Sequence, residues 1–402
     1  MFEIFNDLKD FIKTDSIKND NNIFKLHYRF TVLILTSFSI LVSCRQYLGD
    51  PIDCIQNDDI PENVLETYCW VHATFTLPDA YNKKVGIEVP HPGIDKYTPG
   101  ENRKYHAYYQ WVCFVLFLQS VLFYLPRYVW KFIDSGKIKT LVMGLNCCVL
   151  KPEDRSSCRI LLVEYLKTHI DSHNEYLIKF TLLEIYNLLN VIGQIYLMDA
   201  LFGYQFSTYG IDVIRFSSMD QENRVDPMIQ VFPRMTKCTF HRFGSSGDIQ
   251  KHDALCILPI NILNEKIYVF MWFWFVMLAA LSVAILIFRF ITIVWPAARN
   301  YLLVNNCGLD KKDWHVVSKH IKVGDWYILY LLSKNIDYIF FNEIIHDLAV
   351  ELKEEAKAEE AKRKSSYLEA LSLEPEWDPY DVFVNLTSTE FQELYASDED
   401  DI

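Results

Sequence analysis

One uninterrupted apolar stretch constrains this chain more than any other feature. Residues 268–288, "YVFMWFWFVMLAALSVAILIF", contain no Asp, Glu, Lys, Arg or His. The hydrocarbon core of a bilayer is about 30 Å thick and is crossed by about 20 apolar residues in a helix. Because hydrocarbon offers the backbone no hydrogen-bond partner, only helices and closed barrels span it. The stretch therefore predicts a transmembrane helix.

Three further windows are nearly free of charge, at residues 30–44, 108–125 and 185–203. The first window is short, but Arg29 and Arg45 bracket it. Long basic side chains at such positions reach the two membrane interfaces. We therefore expect a mainly α membrane protein that contains a bundle of four transmembrane helices.

The distribution of basic residues predicts the orientation of the four spans. Four spans place both termini on one side, and that side carries 26 Lys and Arg residues against 13 on the other. The positive-inside rule makes the termini cytoplasmic. No uninterrupted apolar segment typical of a cleavable signal peptide opens the chain. The expected segments are an N-terminal cytoplasmic helix 1–26, a first span 27–47, a first extracellular loop 48–107, a second span 108–130, a cytoplasmic loop 131–178, a third span 179–203, a second extracellular loop 204–266, a fourth span 267–292, and cytoplasmic helices with an acidic tail 293–402.

Four of the ten cysteines lie in the two predicted extracellular loops, Cys54 and Cys69 in the first and Cys238 and Cys256 in the second. Disulfides persist in such an oxidising compartment. A zinc site is the alternative, but the pairs are spaced 15 and 18 residues apart and there is no CxxC motif. We expect no metal and two disulfides. Of the three possible connectivities we favour Cys54–Cys256 and Cys69–Cys238, since each loop has one cysteine nearer the membrane and one nearer its middle.

The third predicted span carries five polar residues, Glu184, Asn187, Asn190, Gln194 and Asp199. At 100° per residue they fall within one half of the helix, so the helix hides a polar stripe from lipid. Hydrogen bonding between helices is the favoured role of this stripe. Contact with a pore is the alternative, since an ionisable residue in a membrane helix is often functional.

The second predicted span opens with a five-residue motif, "YYQWV". Its members are Tyr108, Tyr109, Gln110, Trp111 and Val112, and Pro126 follows late in the same helix. This combination resembles the signature of the innexins, the invertebrate gap-junction proteins. The segments "LHYRFTVLILTSFSILVSCRQYLGDPIDC" and "VFPRMTKCTFHRFGSSGDIQKHDALCILPINILNEKIYVFMWFW" resemble the same family. The likeness covers essentially the whole chain.

The resemblance implies a subunit of a large-pore gap-junction channel in the plasma membrane. Ions and small metabolites would pass between adjacent cells through a homo-oligomeric or hetero-oligomeric ring, with eight subunits suggested by the family. The ring would dock with an innexin ring of the apposed cell. It also implies the fold, a four-helix bundle with a disulfide-braced extracellular cap and a helical cytoplasmic dome.

The resemblance also nominates residues that line the pore. By amphipathicity alone the start of the chain, "MFEIFNDLKDFIK", is a helix that lies on the membrane surface or packs on a partner. The resemblance favours instead that it folds into the cytoplasmic mouth as a funnel. The outer end of the first span and the start of the first loop would face the pore. The nominated side chains are Phe2, Phe5, Leu8, Ser43, Gln46 and Asp50.

The motif residues themselves allow more than one role. The aromatic side chains of Tyr108, Tyr109 and Trp111 are typical of an interfacial aromatic belt. Gln110 is less easily explained this way, and a specific role in subunit packing is the alternative. Pro126 removes a helical hydrogen bond, and its bend is either a gating hinge or static.

The remaining segments are predicted to be cytoplasmic. Amphipathic patterns in residues 131–178 and 295–352 predict helices that pack into a dome. Residues 351–402 carry sixteen acidic against five basic residues, which accounts for most of the net charge of −13. The segment "ELKEEAKAEEAKRK" predicts a helix, whereas the acidic end predicts disorder. The sequon at Asn385 lies on this side, so we expect no glycan on it.

Other functional classes have less support in the sequence. Paired carboxylates and His clusters at membrane depth, nucleotide-binding loops and metal-ligand spacings are all missing from it. We therefore expect no enzyme activity, no cofactor and no nucleic-acid partner, with membrane lipid as the surroundings. A hemichannel that opens to the outside is a close alternative. A non-conducting tetraspan adhesion or scaffold protein is the rival from another class.

Overall fold

Four long helices form the centre of the computed structural model, which describes residues 17–55, 60–142, 145, 152–219 and 226–372. Within these residues, four helices are long and apolar enough to cross a membrane. They are α1 (Asn22–Leu48), α3 (Val112–Asp134), α6 (Asn174–Leu201) and α9 (Pro259–Val294). This confirms the predicted four-helix bundle.

The four helices are longer than a bilayer requires. α9 has 36 residues, which corresponds to about 54 Å of helix against about 30 Å of hydrocarbon. Its first turns therefore project into the extracellular cap. The predicted membrane borders stay predictions, because helix ends alone do not mark them.

The bundle is held by one apolar core that continues into the extracellular cap. α1 packs on α3, α3 on α6, and α6 on α9. Fully buried side chains at these contacts include Leu35 of α1, Leu116 and Phe123 of α3, Val191 of α6 and Leu278 of α9. Exposed apolar residues such as Phe117 and Leu189 lie on the outer faces of the helices, as expected for lipid contact.

The extracellular cap is a five-stranded sheet to which both loops contribute. The strand order is β1-β5-β4-β2-β3, and all pairs are antiparallel. The strands are β1 (Asp53–Ile55), β2 (Thr74–Thr76), β3 (Lys104–His106), β4 (Met235–Phe243) and β5 (Ile249–Ile257). Three short helices complete the cap, α2 (Glu62–His72), α7 (Phe206–Ser217) and α8 (Pro227–Val231). Two 3-10 turns lie at Pro78–Asn82 and Tyr108–Gln110.

A second apolar core lies at the cytoplasmic end and confirms the predicted dome. It contains Trp130, Trp314, Trp326, Tyr327 and Phe341, all nearly fully buried. The helices around it are α4 (Lys137–Val142), α5 (Pro152–Thr168), α10 (Pro296–Cys307), α11 (Lys311–His320), α12 (Val323–Ser333) and α13 (Tyr338–Ser372). The predicted helix in the 351–364 segment is confirmed as part of α13. The acidic end and Asn385 lie outside the described residues.

The dome is fastened to α6 by a buried polar joint. Nδ1 of His173, which precedes α6, lies 2.8 Å from Oδ1 of Asp325 in α12. Asp325 Oδ2 also accepts from the backbone N–H of Asp171 at 2.9 Å. A Cβ on Gly324 would lie 2.4 Å from the backbone of Asn174, so only glycine permits this approach. The dome and the third membrane helix therefore meet at a tight contact.

Candidate functional site

Two disulfides join the two extracellular loops. They are Cys54–Cys256 and Cys69–Cys238, the connectivity that the sequence favours. Cys54 and Cys256 are directly opposed in the β1–β5 ladder, so the sheet brings the first pair together. The second disulfide ties α2 to β4.

Both bridges close long segments of chain, since their partners are 202 and 169 residues apart. In the chain-entropy account, each removes about 5 kcal/mol of freedom from the unfolded state. The sulfurs of Cys54, Cys69 and Cys256 lie within 4.8 Å of one another. As disulfide sulfurs they are not the thiolates that zinc binds. The loops thus form one rigid cap.

The motif that opens α3 fastens this cap to the membrane bundle. The Tyr108 hydroxyl donates to the carbonyl of Val231 at 3.1 Å. The Tyr109 ring is fully buried, with its centroid 4.7 Å from that of Trp70. The Gln110 side-chain amide donates to the carbonyl of Trp70, near the end of α2. Gln110 thereby satisfies a terminal carbonyl that the helix itself leaves without a donor.

These contacts correct the interpretation of the motif as an aromatic belt. Tyr109 lies inside the protein and Tyr108 packs edge-on against Phe202 and Phe232, with centroids 5.2 and 5.7 Å apart. Trp111 is 60% exposed and is the member suited to the membrane surface. Val112 is fully buried. The reason is that α2 and the second loop fold back over the start of α3, which periodicity alone does not reveal.

Pro126 lies within α3, where its side chain is buried. The ring leaves the carbonyl four residues earlier without its helical donor. Whether this point moves during gating stays a prediction.

The polar stripe of α6 is turned into the bundle. Glu184, Asn187 and Gln194 are each 3% exposed. Glu184 forms a two-pronged ion pair with Arg289 of α9, with Oε2–Nε at 2.8 Å and Oε1–Nη2 at 2.9 Å. Its Oε1 also accepts from the side-chain amide of Asn21 at 2.5 Å. The predicted role in hydrogen bonding between helices is confirmed for Glu184.

Asn21 extends this polar node to the N-terminal segment. Its Oδ1 accepts from the backbone N–H of Phe24 at 2.6 Å and caps the start of α1, while its amide binds Glu184. One carboxylate therefore holds α9 and the start of α1 against α6. Residues 1–16, which include the predicted funnel, lie outside the described residues, and Asn21 follows residue 16 by five positions.

The node and its neighbour His27 were not predicted from the sequence. The sequence contained one signal for the ion pair. Glu184 and Arg289 carry opposite charges at the cytoplasmic ends of the third and fourth predicted spans. His27 lies in a π-helical turn, Leu26–Thr31, and its Nε2 is 2.8 Å from the Ser282 hydroxyl. That hydroxyl also lies 2.7 Å from the Leu278 carbonyl, to which it donates. His27 and Ser282 thus form a polar contact between α1 and α9. No sequence pattern indicates this contact.

The predicted pore-facing residues of α1 lie at its outer end. Ser43 is half-buried, Asp50 is exposed just beyond the helix, and the Gln46 side-chain carbonyl lies 3.5 Å from the Cys113 sulfur of α3. The first loop around them carries ten acidic and five basic residues. Phe2, Phe5 and Leu8 lie outside the described residues. The pore-lining role of all six stays a prediction.

One histidine of the cap, His106, has a pKa well below its usual value. His106 of β3 is buried, and burial together with the charge of Lys104 lowers its pKa to about 3. Its Nε2 lies 2.8 Å from the Thr76 hydroxyl on the neighbouring strand. The imidazole is therefore neutral at physiological pH and serves as a hydrogen-bond partner between β2 and β3.

Comparison with known proteins decides the family. The innexin family model matches residues 20–352, a range that contains both disulfides, the motif and the polar node. The chain belongs to the innexin family. Innexins are gap-junction channel proteins, so this innexin is a multi-pass plasma-membrane protein and a gap-junction channel subunit.

Curated innexins match over nearly their whole length. This innexin is 49% identical to innexin inx2 of Schistocerca americana over 355 residues, and this match covers 88% of this chain and 99% of the relative. It is 47% identical to innexin inx2 of Drosophila melanogaster, over 88% and 96% of the two chains. With innexin shaking-B of Drosophila melanogaster it shares 46% identity over 87% and 94%.

Proposed function

We propose that eight copies of this innexin form a ring around a wide aqueous pore and that the ring docks with an innexin ring of the apposed cell. The observation that carries the proposal is the union of both extracellular loops in one disulfide-linked sheet. A docking surface must keep its shape while it faces another cell. Two covalent ties and a shared sheet supply that rigidity.

In this proposal the outer end of α1 faces the pore, with Ser43, Gln46 and Asp50 along the path. The N-terminal segment, including Phe2 and Phe5, lies at the cytoplasmic mouth. Support comes from the polar node, since Asn21 is bound to Glu184 at 2.5 Å. This contact holds the C-terminal end of the segment in place, directly before α1. Pro126 is a candidate hinge for gating.

The charge of the first loop predicts weak selectivity. Ten acidic against five basic residues, repeated around a ring, raise the local cation concentration. A wide pore filled with electrolyte screens much of this field. We expect a reversal potential slightly in favour of cations, and a chloride-selective reversal potential would contradict this assignment.

Transport in this proposal is diffusion through a wet pore, so the chain has no catalytic step and no cofactor. A second candidate, the undocked hemichannel, uses the same ring and differs only in opening without a partner ring. A tetraspan adhesion protein would also use a rigid cap. It has no need of a buried carboxylate that anchors the start of α1, and this contact favours the channel.

The test is dual voltage clamp on paired communication-deficient cells that express the full chain. We expect junctional current with the native chain and none with Cys54→Ser or Cys256→Ser. Cys44→Ser is the matched control, because Cys44 is an exposed free cysteine in α1, and its current should be unchanged. Surface labelling shows whether each variant reaches the membrane.

Silent pairs with native protein at the surface would contradict a channel built from this chain alone. Co-expression with another innexin then separates an obligate heteromeric subunit from an adhesion protein, since only the former conducts.

A further inference from the structure

The extracellular cap carries a basic pocket, defined here by Lys96, Arg103, Lys237 and Lys251. These side chains line a cavity of about 590 Å³ between the loop before β3 and the outer face of the β4–β5 hairpin. Two acidic residues, Asp95 and Asp253, line it as well. The pocket is basic although the first loop as a whole is acidic.

The acids in the pocket are already engaged. Asp95 is bound by Lys83, which holds the pKa of its carboxyl below the usual range. Asp253 is bound by Lys237 at 3.1 Å. The three remaining cations have no carboxylate partner among the described residues; they are Lys96, Arg103 and Lys251.

Arg103 is the most fixed of these cations. Its guanidinium carbon lies 3.5 Å from the centroid of the Tyr97 ring and 4.7 Å from that of Phe75. Its Nε is buried and has no hydrogen-bond partner. The guanidinium also hydrogen-bonds the side chains of Tyr105 and Tyr97. The cations best placed to bind an incoming carboxylate are therefore the exposed Lys96 and Lys251. The pocket is therefore suited to a carboxylate-bearing ligand.

The cap also carries an acidic edge, defined here by Asp53, Glu62 and Glu66. These residues lie at β1 and the first turns of α2. They form no ion pair within the described part of the chain. The pKa of Glu66 is raised by partial burial and by repulsion from Glu62, Asp53 and Asp50. Three carboxylates thus lie together without a neutralising partner among the described residues.

The order of the strands separates the two surfaces. β1 is one edge strand of the sheet and β3 is the other. Asp53 of the acidic edge lies on β1, whereas the basic pocket extends from the β4–β5 hairpin, which carries Lys237 and Lys251, to the loop before β3, which carries Lys96 and Arg103. In a ring of identical subunits each contact is head-to-tail, so opposite sides of the subunit meet.

We infer that the acidic edge of one protomer binds the basic pocket of the next, and that this contact closes the ring on the extracellular side. The partner is a second copy of this chain. The inference rests on the proposed ring and adds the surface by which its caps associate. Each contact neutralises charges that the isolated subunit leaves unpaired, and complementary charges fix the register of two surfaces.

Cysteine cross-linking tests the contact in the full chain. Lys96→Cys and Glu62→Cys both replace exposed side chains. Oxidation of membranes that carry the double variant should give a ladder of linked subunits on non-reducing gels. Co-expression of the two single variants should give linked dimers, whereas each single variant alone should stay monomeric. The matched control is Lys84→Cys with Glu62→Cys, since Lys84 is exposed but lies outside the pocket, and it should not cross-link.

Charge reversal tests the same contact without new cysteines. Lys251→Glu or Glu62→Lys should each weaken the association of one subunit with the next by roughly fivefold, the scale of an exposed ion pair, and should therefore lower the fraction of rings in detergent. The double reversal should recover it. Mass photometry measures the fraction of rings.

The outcomes distinguish this inference from the proposed function. If the native chain forms rings but neither the ladder nor the recovery is observed, the inference is overturned and the channel proposal stands. If the native chain forms no ring, both are overturned. A linked species of monomer size would place both cysteines in one chain and would also refute the inference.

Discussion

The ion pair between Glu184 and Arg289 allows a quantitative test of how the membrane helices are held. Both side chains are nearly fully buried, 3% and 4% exposed. Glu184→Gln keeps the shape of the side chain but leaves the Arg289 cation without its counter-charge. Breaking one partner of a buried pair costs about 3–5 kcal/mol. We expect the low end, about 3 kcal/mol, because the Gln oxygen still accepts one hydrogen bond.

The measurement is thermal unfolding of the purified full chain in detergent. By the size scaling for a chain of 402 residues, a loss of this size should lower Tm by about 4 °C. The double variant Glu184→Gln with Arg289→Gln should recover part of the loss, since it removes the uncompensated charge. Glu175→Gln is the matched control on the same helix, because Glu175 is exposed and, among the described residues, its ion-pair partner is Lys179 alone.

The reasoning would be refuted if Glu184→Gln and Glu175→Gln unfolded at the same temperature. It would also be refuted if the double variant were less stable than Glu184→Gln by the full cost of a second buried defect. Glu184 also accepts a hydrogen bond from Asn21 at the start of α1. We therefore expect Glu184→Gln to alter the voltage dependence of junctional current while the protein still folds.

Three further predictions follow from the described contacts. Gly210→Ala should lower Tm markedly, because its Cβ would lie 2.1 Å from the Trp272 ring. Gly193→Ala is the control: its Cβ meets nothing within 4 Å, and Tm should not fall because Ala is the better helix former. For His106 the folded pKa of about 3 lies below the usual 6.5, so between these values the unfolded state binds more protons than the folded state. The cap should therefore lose stability as pH falls from about 6.5 toward 3. Hydrogen exchange of β2 and β3 measures this loss, and His106→Gln should remove the contribution of this residue. Gln110→Leu should cost about 1 kcal/mol and speed hydrogen exchange at the end of α2, and an unchanged exchange rate would contradict the capping role.

Much of the architecture follows from local properties of the sequence. A run without charge and long enough to span hydrocarbon has few other structures open to it, so the four helices are predictable. The cysteines of the two loops and the "YYQWV" motif indicate the family, and with it the channel function. The amphipathic patterns of the cytoplasmic segments also suffice for the dome, because each must bury an apolar face.

The contacts of the individual residues depend on tertiary structure. Gln110 and Trp70 are 40 positions apart, and nothing in either local sequence indicates that α2 ends over the start of α3. Glu184 and Arg289 are 105 positions apart, and their pairing requires α6 and α9 to be neighbours with a matched rotation.

The same distinction applies to charge. The sequence by itself determines that the first loop is acidic and that the four extracellular cysteines lie in two loops. Only the tertiary structure decides that the unpaired acids lie at the β1 edge of the cap, whereas unpaired bases from both loops share one pocket between the β4–β5 hairpin and the loop before β3. The physical reason is that composition sums charge along the chain, whereas a sheet sorts it by which strands pair.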